Sequence, residues 1–103
     1  MSITMRIIQR FDITREEEFM EIEKRFAALE ESRPDYPKGK RMQPISAGIP
    51  CNTLIWQCEF PDMESAYRTL SFFSGDEAHE LLLKEQLPCF REVNIEFYKN
   101  LDF

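Results

Sequence analysis

The order of local patterns constrains this chain most: strand, helix, strand, strand, helix, strand, within 103 residues. The run Ile3 to Phe11 alternates, with Ile3, Met5, Ile7 and Phe11 on one face and Thr4, Arg6, Ile8 and Arg10 on the other. Thr14-Arg15-Glu16-Glu17 reads as a capping box, in which the Thr14 hydroxyl accepts a free N–H of the first turn and Glu17 reaches back. Phe19, Ile22, Phe26 and Leu29 then recur at three- and four-residue spacing. That spacing predicts an amphipathic helix to about Ser32, terminated by Pro34 and Pro37.

Residues 33–50 are the least regular, with four prolines and two glycines. Arg41 to Ala47 is expected to form a short second strand, and Pro44 places it at an edge because proline cannot donate to a ladder. Asn52 to Phe60 alternates most clearly, with Leu54, Trp56, Cys58 and Phe60 on one side and Thr53, Ile55, Gln57 and Glu59 on the other. Asp62 is placed to cap a helix carrying Met63, Ala66, Tyr67, Leu70 and Phe73. Ser74-Gly75-Asp76-Glu77 breaks that helix and offers a second capping box, Ser74 with Glu77. A shorter helix with Ala78, Leu81 and Leu82 follows to about Gln86, and Leu87-Pro88 ends it. The last strand is expected over Glu92 to Leu101, with Val93, Ile95 and Phe97 opposite Asn94, Glu96 and Tyr98.

This order is the signature of an α+β, ferredoxin-like split β-α-β-β-α-β sandwich: a four-stranded antiparallel sheet with helices on one face. The length fits one domain, residues 1–103. With the first strand between the fourth and the third, Arg6 and Arg10 are expected beside Glu59 and Glu96. The helix-free face would carry Arg6, Ile8, Arg10, Ile55, Gln57, Glu59, Glu96 and Tyr98. That set is too apolar for free solvent and too charged for a dry core. Cross-strand ion pairing accounts for it in one reading. A small-molecule pocket lined by guanidinium, carboxylate and phenol groups accounts for it in another. In both, a second copy of the chain is the natural cover, giving a homodimer.

Nineteen acidic against thirteen basic residues give a net charge of −6, the opposite of a nucleic-acid binder's balance. The one dense basic stretch, Lys38, Lys40 and Arg41, reads as solvated loop chemistry. Nine phenylalanines supply the burial that offsets chain entropy. Cys51, Cys58 and Cys89 are odd in number and lack metal-like spacing, which suits a reduced, cytoplasmic setting, with Cys58 a small core residue. No secretory h-region or membrane-spanning run is legible. One histidine and scattered cysteines make no zinc set, and isolated glycines make no phosphate loop, so no metal or cofactor is expected.

The segment Asn52-Thr53-Leu54-Ile55-Trp56-Gln57-Cys58-Glu59-Phe60 followed by the capped Pro61-Asp62-Met63-Glu64-Ser65-Ala66 resembles the dimeric α/β-barrel superfamily. Within it the chain looks most like NIPSNAP-type and related small proteins, whose closing strand is similar to Glu96-Phe97-Tyr98-Lys99-Asn100-Leu101. With the segment order, the likeness covers nearly the whole chain. Its motifs are mostly apolar pattern, and they specify fold well and chemistry badly. The resemblance implies a homodimer whose two sheets face each other as a barrel. The superfamily also holds antibiotic-biosynthesis-type and haem-degrading monooxygenases. The haem-degrading members use an Asn on the first strand with a Trp and a His on the second helical region. Here Gln9 stands for the Asn, the Trp would fall near Tyr67 or Thr69, and only His79 matches. One match of three argues against haem degradation, and analogy of fold supplies no chemistry.

His79 is the only side chain whose unperturbed pKa lies near neutrality, so it is a candidate proton shuttle, though an ordinary helix histidine is the simpler reading. Tyr98 is a candidate donor to a ligand carbonyl, and Glu59 a candidate general base whose role an adjacent arginine would oppose. Trp56 reads as a core anchor. Three functions compete: a homodimeric module binding a small organic ligand, between sheet and helices or within the barrel; a cofactor-independent oxygenase acting on an aromatic or polyketide-like substrate; and a structural or protein-interaction module using residues 33–50. The first is preferred.

Overall fold

A computed structural model describes residues 2–103. The strands are β1 (Ile3–Phe11), β2 (Lys40–Met42), β3 (Thr53–Phe60) and β4 (Phe90–Lys99), and the helices are α1 (Glu16–Ser32), α2 (Met63–Gly75) and α3 (Glu77–Gln86). They form one antiparallel sheet in the order β2-β3-β1-β4 with the helices on one side, the expected α+β, ferredoxin-like arrangement. Among the described residues, no helix is long and apolar enough to cross a membrane.

Register follows the alternation. Met5 lies opposite Cys58 and Phe97, and Ile7 opposite Trp56 and Ile95, so these side chains share the helix-facing side. One core cluster joins Met5, Trp56, Cys58, Phe60 and Ala66. A second joins Phe11, Phe19, Leu54 and Cys89. Phe11 and Phe19 are fully buried and stack with ring centroids 4.6 Å apart. Burial of each contributes on the order of 2–3 kcal/mol.

Several boundaries differ from expectation. Thr14 and Glu17 do not cap α1. Asp12 precedes a 3-10 turn, Ile13–Arg15, and its carboxylate accepts from the Thr14 N–H at 3.0 Å and from the Thr14 hydroxyl at 2.7 Å. Similarly, Asp76 rather than Ser74 caps α3, accepting from the His79 N–H at 3.1 Å, while Ser74 donates back to the Leu70 carbonyl. In both places a carboxylate beside the predicted hydroxyl is the stronger acceptor. Asp62 caps α2 as expected, accepting from Ser65 N–H at 2.8 Å.

β2 is only three residues long, Lys40 to Met42, instead of Arg41 to Ala47. It pairs with β3 from Gln57 to Ile55 and stops short of Pro44. β4 begins and ends two residues earlier than predicted, and the ladder shifts register between Arg10 and Phe11.

Candidate functional site

A cavity of about 390 Å³ lies between the sheet and the helices. Its floor is built from the helix-facing positions of three strands: Ile7 and Gln9 of β1, Trp56 of β3, and Val93 and Ile95 of β4. Phe26 of α1, Leu70 and Phe73 of α2, and His79 and Leu83 of α3 form the roof. α2 ends at Gly75 and α3 begins at Glu77, and among the described residues no helix packs closely on β4. Val93 and Ile95 therefore remain 46% and 44% exposed, and the cavity opens along that strand.

One wall is ionic. Glu23 and Glu30 of α1 are buried, and Arg41 of β2 lies between them, with Nε 2.7 Å from Glu23 Oε2 and a terminal nitrogen 2.6 Å from Glu30 Oε2. Gln86 donates to Glu23 at 2.9 Å, while Trp56 Nε1 and the Gly39 N–H donate to Glu30 at 3.1 and 2.7 Å. Burial opposes the charge on Arg41, but the hydrogen bonds to the two carboxylates outweigh it and raise the pKa above its ordinary value. Gly39 is required here by close approach. A Cβ at this position would fall 2.5 Å from Trp56 Cζ2 and nearer still to Cε2 and Nε1.

The end of the cavity near Asp76 is held by a separate cluster. Arg33 donates to Asp76 Oδ1 at 2.8 Å, and the Tyr36 hydroxyl donates to Asp76 Oδ2. The Tyr36 hydrogen bond, then Arg33, pull the Asp76 carboxyl below its ordinary pKa. Burial, and then the same carboxylate, push the Tyr36 phenol up. His79 stacks on Phe73, with centroids 4.7 Å apart and planes 3° from parallel, and its ring lies 5.2 Å from that of Phe26.

The eight residues expected on the helix-free face stand there and not in this cavity. Arg6 Nε donates to Gln57 at 2.8 Å, its guanidinium lies 5.4 Å from the Tyr98 ring centroid, and the Tyr98 hydroxyl donates to Glu96. That bond raises the Tyr98 pKa. Ile8 and Ile55 are paired across the ladder and half-buried. The expected neighbours are found only in part. Arg6 lies opposite Glu96, but Arg10 bridges to Glu92 at 3.3 Å, and Glu59 accepts from Asn100 at 3.1 Å. The ladder sets Glu59 opposite Thr4, six residues along β1 from Arg10 and out of its reach. Of the three weak catalytic candidates, His79 alone lines the helix-side cavity.

Gln9, Glu23, Glu30, Arg41 and Gln86 were not identified from sequence as cavity residues. Gln9 has a legible signal, since it continues the parity of Met5 and Ile7. Glu23 and Glu30 lie four residues after Phe19 and Phe26, on the buried side of α1. Arg41 is not loop chemistry in solvent: it is the central member of the buried wall. Lys38 also has specific partners, donating to the backbone carbonyls of Glu30 and, at 3.1 Å, Arg33. Trp56 is a core residue, as expected, that also borders the cavity.

No protein-family model matches the chain, and no curated protein matches it in sequence. Solved structures do match over almost its whole length. A NIPSNAP family protein from Agrobacterium tumefaciens has a TM-score of 0.82 at 10% identity, over 99% of this chain and 88% of that one. An uncharacterized NIPSNAP domain protein from Burkholderia xenovorans has a TM-score of 0.80 at 14% identity, over 100% and 97%. SnoaB, a cofactor-independent oxygenase from Streptomyces nogalater, has a TM-score of 0.68 at 11% identity, over 99% and 95%. The fold of this chain is thus the ferredoxin-like fold found in NIPSNAP and antibiotic-biosynthesis-monooxygenase-like proteins.

Proposed function

We propose that the chain is a homodimeric binding protein for a small organic molecule, held between sheet and helices. The observation that carries this reading is the cavity of about 390 Å³, mostly apolar on floor and roof, with Gln9 and His79 the exceptions, and ionic on one wall. Ligand sites of roughly 300–1,000 Å³ with mostly apolar walls and a few placed polar groups are the common form. The helix-free face supplies the dimer contact, with the Ile8–Ile55 pair at its centre and Arg6, Arg10, Gln57, Glu59, Glu96 and Tyr98 around it.

Two measurements test this. Sedimentation at micromolar concentration is expected to give a dimer, and Ile55→Glu a monomer. Screening metabolites and aromatics by thermal unfolding is expected to find compounds that raise the Tm. Saturation at 100 times Kd adds about 2.7 kcal/mol, roughly 10 °C or more for a domain of this size. A library that leaves the Tm unmoved refutes ligand binding, and a monomer with its open face in water refutes the assembly.

A second reading, a cofactor-independent oxygenase acting on an aromatic substrate, is favoured by the placement of His79. This imidazole, which can donate or accept a hydrogen bond, lies in the cavity against Phe73 and Phe26. Oxygen uptake with activated phenols tests it.

A further inference from the structure

Gln9 differs from every other polar group in the wall of the cavity. It is 8% exposed, it borders the cavity, and among the described residues no hydrogen-bond partner reaches its carboxamide. Gln86, buried more deeply at 1% exposed, donates both to Glu23 and to the Phe19 carbonyl. Among the described residues, the one fully buried side-chain polar atom left without a partner is Thr53 Oγ1; the Gln9 carboxamide instead opens on the cavity, where water meets it and a ligand offering the same donor and acceptor can take that water's place. The position of Gln9 follows from its parity in β1. Leu54 and Val93 are its cross-strand neighbours and have no polar side-chain atoms to offer.

The charge around it is unequal. Glu23 and Glu30 share the guanidinium of Arg41, and Glu80 also borders the cavity. Arg41 is the one permanently cationic side chain there, and both acids already occupy it. An incoming anion would lose its water and meet more negative charge than positive. A primary ammonium would find the Glu23 and Glu30 oxygens already engaged by Arg41, Gln86, Trp56 and Gly39, leaving only the half-exposed Glu80, which water also reaches, to meet it.

We infer that the cavity is selective for uncharged apolar molecules bearing a carboxamide or lactam, a donor and an acceptor side by side, which Gln9 reads through paired hydrogen bonds. This rests on the ligand-binding reading above and narrows it to a chemical class. The Gln9 carbonyl accepts the ligand N–H and its NH₂ donates to the ligand C=O. Trp56, Ile7 and Ile95 provide the apolar surface for the rest of the molecule.

Four probes of one shape test the inference by calorimetry: 2-methylnaphthalene, naphthalene-2-carboxamide, naphthalene-2-carboxylate and 2-naphthylmethylamine. The carboxamide is expected to bind about tenfold tighter than the methyl compound, as two net hydrogen bonds allow. It is also expected to bind at least about tenfold tighter than the carboxylate, which must be desolvated without a free cation. Gln9→Leu is expected to abolish the preference for the carboxamide over 2-methylnaphthalene, with circular dichroism and the urea midpoint reporting an intact fold. Gln9→Glu is expected to weaken the carboxamide as well. Equal binding of carboxylate and carboxamide, tighter binding of the amine, or an unchanged preference in Gln9→Leu would overturn the inference while leaving a binding cavity in place. Failure of all four probes to bind would instead count against the ligand-binding reading itself.

Discussion

Replacing Gly39 with alanine adds one methyl group where the loop after α1 lies against the indole of Trp56. The new Cβ would stand 2.5 Å from Cζ2 and closer to two other ring atoms, whereas unstrained carbon contacts need about 3.5–4.0 Å. The indole is 5% exposed and has Phe73 at its edge, so it cannot swing into solvent. Either ring or loop must shift by roughly 1 Å or more, and both carry donors to Glu30. Overpacking alone costs about 1–3 kcal/mol. Loss of one hydrogen bond to a buried carboxylate adds about 1.5–3 kcal/mol. Because the two effects share atoms they do not add fully, and about 3–4 kcal/mol is expected. Urea unfolding followed by the fluorescence of Trp56, the only tryptophan, reads both consequences. The midpoint is expected to fall steeply, and the native emission to shift as the indole environment changes. A loss below about 1 kcal/mol with unchanged native emission would refute the reasoning, because it would show that the loop retreats at no cost.

Arg41→Met is expected to cost about 3–5 kcal/mol in urea unfolding, since it leaves Glu23 and Glu30 buried without their cation; a loss under 1 kcal/mol would mean the wall is held by Gln86, Trp56 and Gly39 alone. Trp56→Phe keeps an aromatic ring but removes the donor to Glu30, and should lower the urea midpoint, followed for both variants by circular dichroism, less than Gly39→Ala does; the reverse order would assign the close packing little weight. The Asp76 carboxyl has a lowered pKa in the folded chain, so its contribution to stability is complete at neutral pH. That contribution is lost as pH falls through its ordinary value of 3.8 and below. Unfolding midpoints from pH 7 to pH 3 should therefore drop less in Asp76→Asn than in the unmodified chain, and parallel curves would refute the linkage. His79→Phe preserves the stack on Phe73, so the Tm should hold while any oxygen uptake on phenols disappears; persisting uptake removes His79 from that chemistry.

The fold was readable because its determinants are local. Parity in β1 and β3 placed Met5, Ile7, Trp56 and Phe60 on one side, and the Phe19-Ile22-Phe26 spacing wrote the buried stripe of α1. The helix-side cavity was much less readable, because its polar members meet only in three dimensions. Arg41 joins acids 18 and 11 residues upstream, and no short-range pattern announces that such a pair closes. Glu23 and Glu30 sit on the inner side of their helix, where acids are rare unless paired, and spacing alone does not reveal the partner. Gln9 kept the parity of a core position, but its side chain gave no hint that a void lay before it. The roof of the cavity joins residues of α2 and α3 across a junction capped by Asp76, where the sequence offered Ser74 for the same turn. β2 likewise pairs only from Lys40 to Met42 and stops before Pro44, which has no N–H to give the ladder.

The triple engagement of Asp76 has a mechanical consequence. By gripping Arg33, Tyr36 and the first turn of α3 at once, it rivets the segment after α1 to the junction of the two later helices. At the other end Val93 and Ile95 are nearly half exposed and have no such clasp above them. A guest would pass along the margin of β4, and substitutions at that margin would govern the speed of its arrival and departure more than its grip once inside.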